Sequence, residues 1–287
     1  MSLEKMSTIL KEVDNKKTAA LAYDCYNYES IAWLIEAGEE LGLPIIVMLY
    51  PAMMEDIPAK VFASITKSMA KRVKIPVALH LDHCGSYETI LGAIKAGFTS
   101  VMIDGSKLEY NENIRVTCEV VKAAHAFDVD VEAELGQVGV AANKSDFKNE
   151  DMYTTVNQAV DFVAKTKVDA LAIAIGSAHG YYVETPKLDM KRLNDINKAI
   201  DTPLVLHGGT GIPDDQLKEA FKLGINKLNV GTEYFALFYS TVRDYQPVKS
   251  KTDNLFALKA YQKQEIMKYL RQKLLLTIPD KNTPNIK

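Results

Sequence analysis

Residues 156–175 read VNQAVDFVAKTKVDALAIAI, in which apolar residues at helical spacing are followed by a short and nearly continuous apolar run. Such a run is typical of a parallel β-strand that is covered by helices on both faces. The segment therefore predicts a helix over residues 156–165 that leads into a buried strand over residues 168–175.

The same alternation extends along the chain in both directions. Eight apolar runs are predicted as strands, at residues 18–23, 43–49, 75–81, 99–103, 129–135, 168–175, 202–206 and 225–230. Helical spacing lies at residues 29–41, 59–72, 87–96, 113–126, 156–165, 190–199 and 214–223. Eight such units in 287 residues fit an α/β fold, the closed (β/α)8 TIM barrel. No GxGxxG follows the first strand, which disfavours an open dinucleotide-binding sheet.

We therefore predict one domain, with the barrel core over residues 18–245 and a C-terminal helical extension over 246–287 that contains a helix at 254–275.

The composition restricts the kinds of partner that the protein can bind. The chain has 34 Lys and Arg against 37 Asp and Glu, so it lacks the basic excess that binds nucleic acids or acidic membranes. Three scattered cysteines indicate a reducing compartment, and no apolar run approaches the ~20 residues of a membrane span. We expect a cytoplasmic protein that acts on a small molecule.

Polar residues follow nearly every predicted strand. In a barrel the carboxyl ends of the strands form the active-site face, so these side chains are expected to converge there. They are Asp24, Asp82, His83, Asp104, Glu132, Glu134, His179, His207 and Asn229. Each one alone would fit a helix cap or a turn equally well, but so many on one rim favour a site.

Three of these residues are histidines on predicted strands three, six and seven. Three imidazoles with an open fourth position are the usual ligands of a catalytic zinc ion, so His83, His179 and His207 are candidate ligands. A lone histidine is more often a core residue, and His125, within a helical segment, is interpreted in that way. His80 shares a strand face with Asp82, so it is a candidate to orient a metal-binding residue without binding the metal itself.

Glycine turns follow the last two strands. They are HGGTG at residues 207–211 and NVGT at residues 229–232, the second of which opens a helix. Glycine lets backbone amides approach an anion, and a helix N-terminus adds free N–H groups and a favourable dipole. Barrel enzymes commonly bind phosphate in these two loops, so the turns indicate a phosphate site.

Six motifs cover the predicted strand ends: LHLDHC (79–84), MIDGS (102–106), VEAELG (131–136), AIGSAHGYY (174–182), VLHGGTG (205–211) and KLNVGT (227–232). In this order they resemble the class II, zinc-dependent ketose-bisphosphate aldolases, and most of all the fructose- and tagatose-bisphosphate aldolases. The resemblance implies reversible cleavage of a ketose 1-phosphate or 1,6-bisphosphate to dihydroxyacetone phosphate and an aldehyde.

The resemblance also implies roles for single residues. His83, His179 and His207 correspond to the zinc ligands, and Asp82 to the acid/base at the C4 hydroxyl. The residues that correspond to the dihydroxyacetone phosphate site are Gly180, Gly208, Gly209, Thr210, Asn229, Val230, Gly231 and Thr232. Asp104 and Glu134 correspond to a second metal or cation position. The implied cofactors are one Zn²⁺ per subunit and a monovalent cation, and the implied assembly is a homodimer or homotetramer.

The loop after the ELG motif departs from the family. Members carry there a glutamate that transfers a proton at the dihydroxyacetone carbon, whereas this chain has Ala142 near the expected position. Asp146, Glu150 and Asp151 are the alternatives that the same loop offers.

Three further departures concern the substrate. Asp24 replaces an asparagine at the end of the first strand, and Tyr50 replaces a small residue at the end of the second. The C-terminal Asp-Pro-Arg phrase, whose arginine holds the distal phosphate of bisphosphates, has no counterpart. Because arginine is the natural bidentate partner of phosphate, we hypothesise that the aldehyde half is unphosphorylated or differently charged.

Two other functions compete with this one. A zinc barrel hydrolase would carry a His-x-His pair at the end of the first strand, and the chain has no such pair. A non-catalytic sugar-phosphate binding barrel would fit the missing loop glutamate, but a binding protein needs no acid beside a metal.

Overall fold

Eight parallel strands close into a barrel in the computed structural model, which describes residues 3–144, 148–246 and 254–279. The barrel strands are β1 (Ala20–Asp24), β2 (Ile45–Leu49), β3 (Val77–Cys84), β4 (Ser100–Ile103), β5 (Asp130–Leu135), β7 (Ala170–Ile173), β9 (Leu204–Leu206) and β10 (Ile225–Val230). Two short strands, β6 (Gly139–Val140) and β8 (Ala178–His179), pair with each other outside the barrel.

Helices cover the outside of the barrel. They are α1 (Met6–Asn15), α2 (Tyr28–Leu41), α3 (Ala59–Ala70), α4 (Tyr87–Ala96), α5 (Tyr110–His125), α6 (Val156–Thr166), α7 (Met190–Ala199), α8 (Asp214–Lys222), α9 (Thr232–Asp244) and α10 (Asn254–Leu275). Short 3-10 turns lie at Pro51–Glu55 and Glu150–Met152. The predicted TIM barrel with an appended C-terminal helix is confirmed.

Local capping chemistry sets several helix bounds. The Asn27 side chain accepts a hydrogen bond from the Ser30 amide at 2.8 Å and starts α2 with a capping box. Thr155 and Gln158 form the same arrangement at the start of α6. Gly42 ends α2 with a φ of 67°, a left-handed conformation that costs glycine little. These short-range bonds explain why the predicted bounds of the helices agree closely with the observed ones.

Helix α1 closes the amino-terminal end of the barrel and was not predicted. Its residues Met6, Ile9, Leu10 and Val13 are buried in one cluster with small interior residues of the strands, such as Ala78. The burial of these four side chains stabilises the fold by roughly 1.5–3 kcal/mol each, by the usual transfer scale. Because this end of the barrel is filled, the site can form only at the opposite end.

The C-terminal helix α10 packs on α2 and α9. Its buried residues Ile266, Met267, Leu270 and Leu274 belong to the main hydrophobic core. Ion pairs flank this apolar seam, namely Lys259 with Glu29, Lys263 with Glu36 and Arg271 with Glu40. Residues 247–253 and 280–287 of the predicted extension lie outside the described residues.

No helix in the described parts of the chain is both long and apolar enough to cross a membrane.

Candidate active site

The carboxyl ends of the barrel strands surround a cavity of about 490 Å³. Most of the predicted site residues line it: Asp82, His83, Asp104, Glu134, His179, Gly180, Gly208, Gly209, Thr210, Asn229, Gly231 and Thr232. His207 and Val230 do not form part of its wall and are buried. The topology thus gathers six segments that are far apart in the sequence, at residues 82–83, 104, 134, 179–180, 208–210 and 229–232.

Three side chains of the cavity wall and the buried His207 behind it form a group that can hold a metal ion. His83, Glu134, His179 and His207 each offer one ligand atom, and these atoms all lie within 4.8 Å of one another. Glu134 Oε2 is buried and has no hydrogen-bond partner among the described residues. Three imidazoles and a carboxylate are the donor types that Zn²⁺ prefers, so the residues fit a divalent transition-metal ion.

The backbone at the end of β3 aims His83 into this group. The register between β3 and β4 shifts between Leu81 and Cys84, and His83 adopts a φ of 40°, which is rare outside glycine. The Asp104 carboxylate accepts a hydrogen bond from His83 Nδ1 at 3.0 Å. His83 Nε2 is thereby turned towards His207 Nδ1, 2.7 Å away. Asp104 is therefore a hydrogen-bond partner of His83. A separate cation position formed by Asp104 and Glu134 stays a prediction.

His179 lies in a different place from the one predicted. We expected it at the end of the sixth barrel strand, but β7 ends at Ile173 and His179 belongs to the outer strand β8. Val140 of β6 pairs with His179, so the loop after β5 positions this imidazole. Burial lowers the pKa of His179 to about 3, which keeps the ring neutral, the form that binds metals.

Glu132 also differs from the prediction, because it lies inside the barrel and not on the rim. Glu132 Oε1 accepts a hydrogen bond from His207 Nε2 at 2.8 Å, and Glu132 Oε2 accepts one from Lys227 Nζ at 2.8 Å. Burial by itself raises the pKa of Glu132, but Lys227 and His207 outweigh burial and hold the pKa well below its usual range. An ionised Glu132 fixes the His207 ring so that His207 Nδ1 points towards the other ligand atoms of the metal-binding group.

Lys227 is a residue of the site that the sequence analysis missed, although the spacing of polar residues along the strands is a signal for it. His80 and Asp82, Glu132 and Glu134, and Lys227 and Asn229 are pairs two residues apart in apolar strands, so each pair shares one strand face. In each pair the first residue lies one layer deeper in the barrel. His80 Nδ1 lies 2.8 Å from Ser100 Oγ, and burial together with the charge of Lys227 lowers the pKa of His80 to about 3.

Asp82 lies at the metal-binding group with a defined orientation. Asn229 Nδ2 donates a hydrogen bond to Asp82 Oδ1 at 2.9 Å, and Asp82 Oδ2 is 4.0 Å from His83 Nε2. Burial by itself raises the pKa of Asp82, but the positive field of His83 and His207 outweighs it and the pKa lies below its ordinary value. Asp82 is therefore a carboxylate that can accept a proton from a substrate hydroxyl.

Asp24 lines the same cavity. Its Oδ1 atom is buried and has no hydrogen-bond partner in the described parts of the structure. Burial, reinforced by the charge of Asp82, raises the pKa of Asp24 well above its ordinary value. The two carboxyls thus have opposite tendencies: Asp82 favours its charged form and Asp24 its neutral form.

The glycine turn after β9 packs tightly against neighbouring backbone. A Cβ atom on Gly208, whose φ is 69°, would lie 2.3 Å from the carbonyl oxygen of Ala178. Thr210 Oγ1 accepts a hydrogen bond from the Glu233 amide at 3.3 Å and links this turn to the start of α9. The site thus contains a turn that only glycine can form, next to a helix N-terminus.

Tyr182 holds this turn against β8, and the prediction missed it. Its hydroxyl accepts a hydrogen bond from the Ala178 amide at 2.7 Å and donates one to the Gly208 carbonyl at 3.1 Å. The residue occurs in the motif AIGSAHGYY, but nothing in the sequence shows which backbone groups it contacts.

Among its described residues, the loop after β5 brings no predicted acid into the cavity. Glu150 and Asp151 are exposed and line a neighbouring cavity of about 750 Å³, together with Arg192. Ala142 is also exposed, and Asp146 lies outside the described residues. A role for Asp146, Glu150 or Asp151 in proton transfer therefore stays a prediction.

Comparison with known proteins matches this arrangement to one family. The model of the class II fructose-bisphosphate aldolases matches residues 4–278. The crystal structure of the YdjI aldolase from Escherichia coli K12 is similar with a TM-score of 0.86 and 30% identity, over 98% of this chain and 100% of that one. The structure of fructose-bisphosphate aldolase from Campylobacter jejuni has the same fold, with a TM-score of 0.81 and 20% identity over 96% of this chain and 95% of that one.

The family match covers nearly the whole chain and agrees with the motifs at the strand ends. The predicted family and the prediction of an enzyme are confirmed. The chain belongs to the class II fructose-bisphosphate aldolase family and is an aldolase, a carbon–carbon lyase.

Proposed function

We propose that the chain is a zinc-dependent aldolase that reversibly cleaves a ketose 1-phosphate to dihydroxyacetone phosphate and an aldehyde. The observation that carries this proposal is the group of His83, Glu134, His179 and His207 at the floor of the cavity, with Asp82 beside it on the cavity wall. A binding protein would need the cavity and the glycine turns, but it would not need a carboxylate held next to a metal-binding group.

In this proposal His83, His179 and His207 hold the zinc ion, and Glu134 lies within reach of the same position. When bound, the zinc ion supplies Lewis-acid polarisation of the substrate carbonyl and stabilises the negative charge that develops on cleavage. Glu132 and Asp104 hold the far nitrogens of His207 and His83, which preorganises the two rings.

Asp82 acts as the base in the cleavage direction. It accepts the proton of the C4 hydroxyl, whose oxygen becomes the aldehyde carbonyl as the C3–C4 bond breaks. The electron pair of that bond remains with C3 and is delocalised into the C2 carbonyl, which gives an enediolate. The enediolate takes a proton at C3 from water to give dihydroxyacetone phosphate, and Asp82 releases its proton to water, which restores the carboxylate. Asn229 orients Asp82 for the first step through its hydrogen bond.

The phosphate would bind at the loops after β9 and β10. Support for this comes from the tight turn at Gly208 and Gly209 and from the start of α9 at Thr232, where backbone amides and the helix dipole favour an anion. The backbone at Gly231 lies close to the Asp24 carboxyl, since a Cβ at this position would be 2.6 Å from Asp24 Oδ2. Only glycine leaves room for this contact. The monovalent cation that the family resemblance implies stays part of the proposal.

A condensation assay tests the proposal. The zinc-loaded protein is incubated with dihydroxyacetone phosphate and a panel of aldehydes, and ketose 1-phosphate formation is measured together with the zinc content. We expect one zinc ion per chain and a fall of about 100-fold or more in kcat for Asp82→Asn. Asp195→Asn, which changes an exposed carboxylate on α7, is the matched control and should behave as wild type.

Zinc-free purified protein that cannot be loaded, or an Asp82→Asn variant as active as wild type with every aldehyde, would refute the proposal. Comparable turnover of fructose 1,6-bisphosphate and a ketose monophosphate would count against an aldehyde half that lacks a phosphate.

Assembly and location are proposed from the family resemblance. We expect a homodimer or homotetramer in the cytoplasm, with a sugar phosphate as the small-molecule partner. Analytical ultracentrifugation of the full chain tests the assembly, and a single species with the mass of one chain would contradict it.

A further inference from the structure

One basic side chain lies at the mouth of the active-site cavity, and the proposed mechanism does not use it. Lys107 follows β4 in the motif MIDGSKL, is exposed, and lines the cavity together with Asp82 and His83. It is the only lysine or arginine on the cavity wall among the described residues, and it forms no ion pair with any of them. Its ammonium group is therefore available to a ligand.

The barrel topology places Lys107 across the mouth from the loop proposed to bind phosphate. In the closed strand order, β4 and β10 are separated by three strands on either side. They therefore stand on opposite sides of the barrel. Lys107 follows β4, whereas Gly231 and Thr232, where α9 begins, follow β10.

The turn that carries Lys107 is anchored to the site. Asp104 Oδ1 accepts hydrogen bonds from the Ser106 hydroxyl at 2.7 Å and from the Ser106 amide at 3.1 Å. The other oxygen of Asp104 bonds to His83, so the base of the Lys107 side chain has a fixed position relative to the metal-binding group. The flexible stem of lysine then allows the ammonium group to reach a range of ligand lengths.

Apart from the histidines and the Tyr50 phenol, the other ionisable groups of the wall are carboxyls: Asp24, Asp82, Asp104 and Glu134. Such a wall repels an anionic substrate group unless a cation offsets it. A ketose 1-phosphate with its phosphate at the β10 loop and its C4 hydroxyl at Asp82 would extend its remaining carbons towards the β4 side. The end of the aldehyde half would thus meet Lys107.

From this arrangement we infer that Lys107 selects acceptor aldehydes that carry an anionic group, a phosphate or a carboxylate, at the end distal to the carbonyl. The inference rests on the proposed aldolase function and names the substrate class of the same site. It also agrees with the absence of the family's distal-phosphate arginine, because a lysine binds an anion as a point charge and does not require the bidentate geometry of phosphate.

Two matched pairs of aldehydes test this inference. Glyceraldehyde 3-phosphate is compared with glyceraldehyde, and succinate semialdehyde with butanal, each with dihydroxyacetone phosphate and the zinc-loaded enzyme. We expect wild type to prefer the anionic member of at least one pair. Lys107→Met should lower kcat/KM for that member about tenfold, mainly through KM, and leave the neutral member within about twofold.

Two control variants accompany the test. Lys107→Arg keeps the charge and should retain most of the preference. Lys71→Met changes an exposed lysine at the end of α3, outside the cavity, and should leave all four aldehydes unaffected. The pair in which the preference falls identifies the anion as phosphate or carboxylate, and a fall in both identifies a general preference for anions.

Failure of the inference is distinguishable from failure of the proposed function. If wild type turns over the aldehydes but Lys107→Met changes anionic and neutral members equally, or changes neither, Lys107 does not select the acceptor. If wild type and Lys71→Met turn over none of the aldehydes, the proposed function fails and the inference fails with it.

Discussion

Replacement of Lys227 by methionine removes a positive charge from the middle of the barrel. Lys227 Nζ lies 2.8 Å from Glu132 Oε2, and both side chains are fully buried. At that separation and an effective dielectric constant of ~20, two unit charges attract by about 6 kcal/mol. Desolvation of both groups offsets much of this attraction, but loss of one partner leaves the other charge buried and unpaired. We expect the free energy of unfolding of Lys227→Met to fall by about 3–5 kcal/mol.

Urea unfolding of the protein after metal removal with a chelator, followed by circular dichroism, measures this change in the free energy of unfolding. The double variant Lys227→Met with Glu132→Gln removes both charges, and we expect it to recover at least about half of the lost stability, because the buried carboxylate is gone. Lys259→Met is the matched surface control. It breaks an exposed pair with Glu29 and should cost less than about 1 kcal/mol.

A loss below about 1 kcal/mol for Lys227→Met, at an unchanged dependence on urea, would refute the assignment of this pair as a stabilising contact in the barrel. A double variant no more stable than the single one would show that Glu132 tolerates the loss of its partner.

Three further changes test other parts of the site. Gly208→Ala should raise the KM for dihydroxyacetone phosphate at least about tenfold in steady-state kinetics, because its Cβ would lie 2.3 Å from the Ala178 carbonyl oxygen at a φ of 69°. Gly92→Ala within α4 is its control and should be neutral or stabilising, because no described atom outside the adjoining helix backbone lies within 4 Å of the added Cβ. Tyr182→Phe should lower the free energy of unfolding by about 1–2 kcal/mol in urea, and Tyr181→Phe, whose parent side chain is 58% exposed, should not. Zinc at about 100 times its Kd should stabilise the metal-free protein by about 2.7 kcal/mol and raise its Tm. The shift in Tm should be much smaller for His179→Ala, because this variant lacks one proposed ligand. Equal shifts in the two proteins would contradict a role of His179 in zinc binding.

The barrel could be predicted because its strands are apolar on both faces and its helices have strong local signals. Tyr87–Ala96, Met190–Ala199, Ile225–Val230 and Asn254–Leu275 have the predicted bounds. Helix α1 was missed even though Met6, Ile9, Leu10 and Val13 have helical spacing. About two turns of apolar spacing give a weak signal, because a helix this short is marginal in isolation, and packing against the end of the barrel is what stabilises it.

The site was only partly predictable, for a physical reason. A strand-end position can be read from the sequence, and residues two apart share a strand face, but how deep each pair lies in the barrel depends on the strand register, which no local pattern specifies. Glu132 was therefore expected on the rim, although it bonds to Lys227 in the interior. His179 was expected on a barrel strand, although the outer pair of β6 and β8 holds it. Lys107 carried no signal at all, because an exposed lysine after a glycine turn is ordinary.

Hydrogen exchange into dihydroxyacetone phosphate tests the proposed chemistry most directly, because it needs no knowledge of the aldehyde. The zinc-loaded enzyme is incubated with dihydroxyacetone phosphate in D₂O, and the hydroxymethyl protons are followed by NMR. We predict stereospecific exchange of one of the two protons, abolished by a chelator and restored by zinc. No exchange above the rate in buffer, with zinc bound at one ion per chain, would contradict the assignment of this site to enediolate chemistry.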